Sequence, residues 1–386
     1  MNKLFLFVTV GAALCAAYAC GGQTGDGGDA GDAGGGDVAV DVKPDVSQKD
    51  GGGPDVAQDA DAAPPTDAGP TPPPPPDGGA PTSNVLTFAI QTVSLGEADR
   101  AGTPSPSAWK NYGYDVDGLV TTSSDTNVCT LHTGAPKANQ ADGTGGIDNA
   151  WGAVLLPILE TAASLPTPSA TESAAIDSGI WTMQIQVTGL SDDPQQNALG
   201  LSSQIFLSGQ YPSGTPAFDM TTDWPVLSTS VVDGQTIASG STVKFASSYV
   251  SNGTFVSGAG PGVLVFTLSF GGAALPITIH DAVLTFDHVD HADAADGTIS
   301  GVIDTQEFID TMQVVAGTIS QSLCGSAFDG IAEQLRQAQD ILQDGTNTAG
   351  VSCDGISIGL GFTAKLVANP TTVVQAPPPP PNPCGD

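Results

Sequence analysis

The sequence predicts a mainly β fold with helical insertions: a β-sandwich or jelly-roll-like domain after a disordered N-terminal tether. Three observations carry this. Short runs rich in Val, Ile, Thr and Phe alternate apolar and polar residues; Gly-rich clusters such as Ser251-Asn252-Gly253 separate them; and only three stretches show helical periodicity. Many short strands joined by glycine turns favour facing sheets over a barrel.

Residues 1–19 read as a signal peptide. Lys3 supplies the positive start, and Leu4 to Ala17 is an apolar run too short to span a bilayer. Ala17-Tyr18-Ala19 fits an ordinary small-x-small cleavage site. With Cys20 it also resembles a bacterial lipobox, departing from the usual pattern at Ala17 and at the bulky Tyr18. Six cysteines are present, and Cys15 leaves with the leader. Lipidation of Cys20 then leaves four, an even number suited to two disulfides in an oxidising compartment. The expected location is the outer membrane, with Cys20 as the membrane anchor and Gly21 after it as the sorting residue; simple secretion is the alternative.

Residues 20–83 form the expected tether. From Gly21 onward they hold 12 Asp, two Lys and no aromatic residue. So little apolar surface cannot offset the entropy of ordering, and Pro72 to Pro76 should be extended polyproline II. The whole chain carries a net charge of −32, and residues 84–386 alone hold 29 acidic and six basic residues. That excess argues against nucleic acid as a partner.

The globular region spans 84–370. Its expected strands are 85–93, 180–187, 204–210, 226–231, 243–249, 263–270, 277–286, 299–303 and 356–367. Asp148 or Asn149 can cap a helix carrying Trp151, Leu155 and Leu159, with Pro157 kinking or restarting it. Asp304-Thr305-Gln306-Glu307 reads as a capping box for a second helix to about Ala316. A third runs from about Ala327 to Gln343 and stops at Gly345. A Pro-rich tail fills 371–386. Four cysteines allow three connectivities. The expected one is Cys324–Cys353, closing about 30 residues for about 3 kcal/mol in the chain-entropy model, with Cys129–Cys384 pinning the tail.

The most suggestive chemistry lies in Gly113-Tyr114-Asp115-Val116-Asp117-Gly118, then Cys129, then Asp142-Gly143-Thr144-Gly145-Gly146-Ile147-Asp148-Asn149. This pattern, G-[FY]-D-x-D-G … C … D-G-x-x-G-I-D-N behind a Gly/Asp/Pro tether, resembles uncharacterised secreted lipoproteins of myxobacterial type. The resemblance implies the tether-plus-domain layout and no particular activity. Physically, Asp115, Asp117, Asp142, Asp148 and Asn149 set hard oxygen ligands on tight turns, as Ca²⁺ requires. The competing reading is that they make Asx-turns and cap the following helix.

Other motifs are weaker. His280, His288 and His291 lie near an Asp-rich stretch, 287–297, which misses EF-hand spacing and reads as a polar turn. Gly355-Ile356-Ser357-Ile358-Gly359 matches a nucleophile elbow, but the strand alternation continues through it and no His follows His291. No catalytic residue is nominated. The expectation is a non-enzymatic, surface-anchored binding or adhesion module, Ca²⁺-stabilised, for a carbohydrate or an envelope or surface protein. Trp109, Tyr112, Tyr114, Trp151, Trp224 and Tyr249 are the aromatics available to stack on sugars. A secreted hydrolase with paired carboxylates and a structural envelope component are the alternatives.

Overall fold

A computed structural model describes residues 69–163, 165, 167–258, 262–270, 273–290, 292–378 and 382–384. The leader, Cys20 and the tether through residue 68 lie outside these, as does His291. The strands are β1 (Val85–Ser94), β2 (Met183–Thr188), β3 (Ala198–Leu207), β4 (Val226–Leu227), β5 (Val243–Ser251), β6 (Thr254–Val256), β7 (Leu264–Phe270), β8 (Ala273–His288), β9 (Asp293–Asp304), β10 (Gly355–Val367) and β11 (Val373–Val374). The α-helices are α1 (Leu156–Ala163), α2 (Pro168–Asp177), α3 (Thr305–Ile319) and α4 (Ser326–Arg336).

The chain is mainly β with helical insertions. Nine strands form one sheet in the order β6-β5-β3-β2-β1-β10-β9-β8-β7, every neighbouring pair antiparallel. Its ends meet, because β6 also pairs with β8 through Phe255 and Phe286. The facing walls that a sandwich or jelly roll draws from two sheets come here from one sheet closed on itself. Bulges make the closure possible: the register shifts between Ile90 and Thr92, between Phe362 and Ala364, and twice between β8 and β9. β8 is long enough to do two jobs. Residues 273–279 pair with β7, while its later residues pair with β9 and β6.

Aromatic side chains fill the space between the walls. Phe286 stacks on Phe255 at 4.8 Å and meets Phe88 of β1 at 5.2 Å. Asn252 and Gly253 both have positive φ, 49° and 85°, which gives the β5–β6 hairpin its two-residue turn. At the far end of β1 the pairing with β2 has stopped, and α2 takes over that edge. Val93 N donates to Ser173 Oγ (3.1 Å) and Leu95 N to Ser169 Oγ (2.8 Å).

The helices bear out part of the sequence reading. Asp304 caps α3, its side chain accepting from Glu307 N. Trp151 begins a short π-helical turn, Trp151–Leu155, that leads into α1. Pro157, the second residue of α1, lies inside a continuous helical run from Ala150 to Ala163, just past the join where π-helical pairing gives way to α-helical pairing. The third helix is shorter than expected. α4 ends at Arg336, because the chain beyond it bonds to the start of β10 (Gly355 N to Ile341 O, 2.9 Å).

Three expectations need correction. The disulfides are Cys129–Cys353 and Cys324–Cys384, not Cys324–Cys353 with Cys129–Cys384. A bridge between Thr130 and Ser352 lays the two chain segments side by side, with Cys353 N donating to Thr130 O and Thr130 N to Val351 O. Loop length could not show that. The tether boundary at 83 is too late, since residues 69–83 already bond to the domain: Tyr249 Oη donates to Pro73 O, Leu199 N to Gly79 O and Thr82 N to Gly189 O. The tail boundary at 371 is too early, because β11 pairs in parallel with β4 and Cys384 is held by its disulfide.

Candidate metal centre

The Asp-x-Asp-Gly loop sits against the segment that leads into Trp151. Asp148 N donates to Tyr114 O (3.0 Å), and the Asp148 carboxylate returns the contact by accepting from Val116 N (2.6 Å) and Asp117 N (3.2 Å). Gly113 is required at this approach. Its φ is 109°, and an added Cβ would lie 3.2 Å from both Asp148 O and Gly359 Cα. Within the loop, Asp115 Oδ1 accepts from Gly118 N and Asp117 Oδ1 from Leu119 N. These are the Asx-turn bonds that the competing reading expects, and they coexist with a cluster.

One carboxylate oxygen from each of Asp115, Asp117 and Asp148 lies within 4.8 Å of the others. Asp148 is 3 % exposed and Asp115 7 %. Asp142 borders the trio, bonded both ways to Thr121. Asn149 does not belong to it. Its Nδ2 donates to Trp109 O, Tyr112 O and Gly359 O, and its Oδ1 accepts from Gly152 N and Gly359 N. Every polar atom of that carboxamide is committed, so Asn149 is a brace and the expectation of a ligand there fails.

Two members escaped the sequence reading. Asp340 lies just beyond α4 and accepts from Ser357 N and Ser357 Oγ. Asn347 donates from Nδ2 to Asp117 Oδ2 (2.8 Å) while its Oδ1 accepts from Cys129 N. Both reach the loop from more than 200 residues away, and no local pattern marks them. The Cys129–Cys353 disulfide and the Thr130–Ser352 bridge lay their segment alongside.

Burial raises these acids. It is the leading cause at Asp117, at Asp142 and Asp340 (both pushed up to about 7), and at Asp148, held well above the usual carboxylate range. The acids also raise one another: Asp117 and Asp142 act on Asp148 and on Asp340. Among the described residues, the ion pairs formed by Arg100, His132, His280 and Lys365 go to other carboxylates. Such a group can hold protons, or it can take a cation with hard oxygen ligands.

The remaining motifs resolve as structure. Ser357 is fully buried in β10, accepting from Ala150 N and donating to Asp340, so it is no nucleophile. The stretch 287–297 takes in the end of β8 and the start of β9, and between them Asp290 Oδ1 accepts from Ala292 N and Asp293 N. His280 pairs with Glu307 at 2.8 Å, and His288 is buried. Trp151, Trp224 and Tyr112 are core residues. A cavity of about 240 Å³ contains Glu97, whose two oxygens are bonded to the Ser169 backbone and hydroxyl.

Comparison with protein-family models, curated proteins and solved structures finds no match. Among the described residues no helix is long and apolar enough to cross a membrane.

Proposed function

We propose that this chain is an exported lipoprotein, anchored in the outer membrane through Cys20, whose β domain is a Ca²⁺-stabilised, non-catalytic binding module. The observation that carries the metal is the convergence of Asp115, Asp117 and Asp148 within 4.8 Å at positions largely withdrawn from solvent. Ca²⁺ takes six to eight oxygens, so these carboxylates would be joined by backbone oxygens or water. The anchor rests on the leader and on the four cysteines left after Cys20, which pair as two disulfides.

The target of the module is another envelope or surface protein. With Trp151, Trp224 and Tyr112 in the core, the stacking surface that a carbohydrate would need is reduced to the half-buried Trp109, Tyr114 and Tyr249. The acidic surface favours a basic partner.

A thermal-shift titration of the full chain with Ca²⁺ tests the metal. The melting temperature should rise with Ca²⁺, and Asp117→Ala or Asp148→Ala should remove the rise. An unchanged melting temperature in the parent protein, across millimolar Ca²⁺, eliminates the reading.

A further inference from the structure

The end of the anchor segment is fastened to the acidic loop itself. Gly69 N donates to Asp115 Oδ2 (2.6 Å), and Asp115 N donates to Pro70 O (2.9 Å). The two bonds form a closed clasp on one residue of the carboxylate trio. The fit is tight: a Cβ at Gly69 would stand 2.7 Å from Gly145 O and 2.8 Å from Asp115 Cβ, while Gly146 packs against Gly69 Cα. Farther along, the Tyr249 hydroxyl holds Pro73 O at 2.6 Å. Five consecutive prolines, 72–76, carry no N–H, so this stretch offers the domain only carbonyls. Its hold therefore concentrates at the two ends, Asp115 and Tyr249 on one side and the Gly79–Thr82 bonds on the other.

We propose that residues 69–76 are a releasable clasp latched by Asp115, so that cation occupancy of the trio sets where the anchor segment leaves the domain. The inference rests on the Ca²⁺ reading above. A bound cation fixes the Asp115 carboxylate in place and so presents Oδ2 to Gly69 N. Without it, crowding of the Asp115 carboxylate against that of Asp117 is relieved by moving Asp115 away, and the clasp loses both bonds together. Release would free residues 69–76, up to the Gly79–Thr82 bonds that still hold the chain; fully extended, these eight residues reach about 27 Å. The ligand at the trio thereby controls whether residues 69–76 lie against the domain.

Linkage makes this testable from both sides, because the factor by which Ca²⁺ closes the clasp is the factor by which the closed clasp tightens Ca²⁺. Hydrogen-exchange mass spectrometry on the full chain, with peptides covering Gly69 and Thr71, is compared in Ca²⁺ and in chelator. Calorimetry then gives the Ca²⁺ affinity of the parent, of Gly69→Ala and of Tyr249→Phe. The first variant breaks the fit at the latch, and the second only unhooks Pro73 and leaves the carboxylate loop intact. Ca²⁺ should slow exchange at Gly69 at least about 5-fold, with Gly69→Ala weakening Ca²⁺ by a matching factor and Tyr249→Phe by a smaller one. If Ca²⁺ binds while exchange at Gly69 and both variant affinities stay unchanged, the clasp is overturned and the metal reading survives. If the parent binds no Ca²⁺, both fall.

Discussion

The carboxamide of Asn149 grips Gly359 by both halves of its backbone, donating from Nδ2 to Gly359 O (3.0 Å) and accepting at Oδ1 from Gly359 N (3.1 Å). Gly359 has no room for a side chain there, since a Cβ would fall 2.1 Å from Tyr112 O. The pair locks the acidic loop to β10, and Asn149 adds bonds to Trp109 O, Tyr112 O and Gly152 N. Asn149→Ala would strip the side-chain partner from five backbone groups at a site only 2 % exposed, of which Trp109 O keeps another bond, from Tyr112 N. At roughly 1 kcal/mol or more for each unsatisfied group, the expected loss is about 3 to 5 kcal/mol, read by urea unfolding. A loss below about 1 kcal/mol would show that water replaces the brace.

The disulfides differ in what they close. Cys129–Cys353 spans 224 residues and Cys324–Cys384 spans 60. The chain-entropy model assigns them about 5 and about 4 kcal/mol. Cys129→Ser with Cys353→Ser should also loosen the segment that carries Asp340 and Asn347, and so weaken the acidic site. Cys324→Ser with Cys384→Ser should release only the tail. Calorimetric melting of the two double variants, each with and without Ca²⁺, separates these effects. Peptide mapping without reductant that recovered 324 linked to 353 would overturn the connectivity.

Phe286 ties together β8, β6 and β1 through its contacts with Phe255 and Phe88. Phe286→Ala leaves a cavity where the closed sheet has its aromatic filling. The cost should be about 3 to 5 kcal/mol in unfolding free energy. Phe286→Leu, which keeps most of the volume, should cost about half as much; equal losses would mean that ring geometry and not volume matters.

How legible all this was depended on the range of the interactions. β1, β5, β7 and β10 could be read from local alternation, and the α3 cap from Asp304 and Glu307, because those signals lie within a few residues. The trio Asp115, Asp117 and Asp148 was also visible, as two turn motifs in one stretch. Asn149 was misjudged because the same amide that suits a cation suits five backbone groups, and only the fold decides between them. α2 escaped notice: its buried Ser169 and Glu172 are polar, so it lacks an apolar stripe, and it exists to satisfy the edge of β1. Closure of the sheet depends on β6, three residues long, pairing on both sides. Periodicity cannot register so short a strand.

The acidic site also fixes how stability should vary with pH. Burial pushes the Asp340 and Asp142 carboxyls up to about 7, whereas in the unfolded chain they titrate near 4. Between those values the folded protein holds protons that the unfolded chain has released. The stabilisation is therefore complete below about pH 4 and is lost as pH rises through about 7. In chelator, the melting temperature should fall from pH 5 to pH 8. Carboxylates such as Asp219, Asp290 and Asp344, held low by turn amides and hydroxyls, act in the opposite sense, but only in more acidic solution. Asp340→Asn keeps an oxygen for Ser357 N and removes one titration, so the decline should become shallower. Ca²⁺ should flatten it as well, because the cation takes over from the protons as they leave. A melting temperature that rises from pH 5 to pH 8 in chelator would mean that these carboxyls are already ionised in the folded protein, with some other charge balancing them.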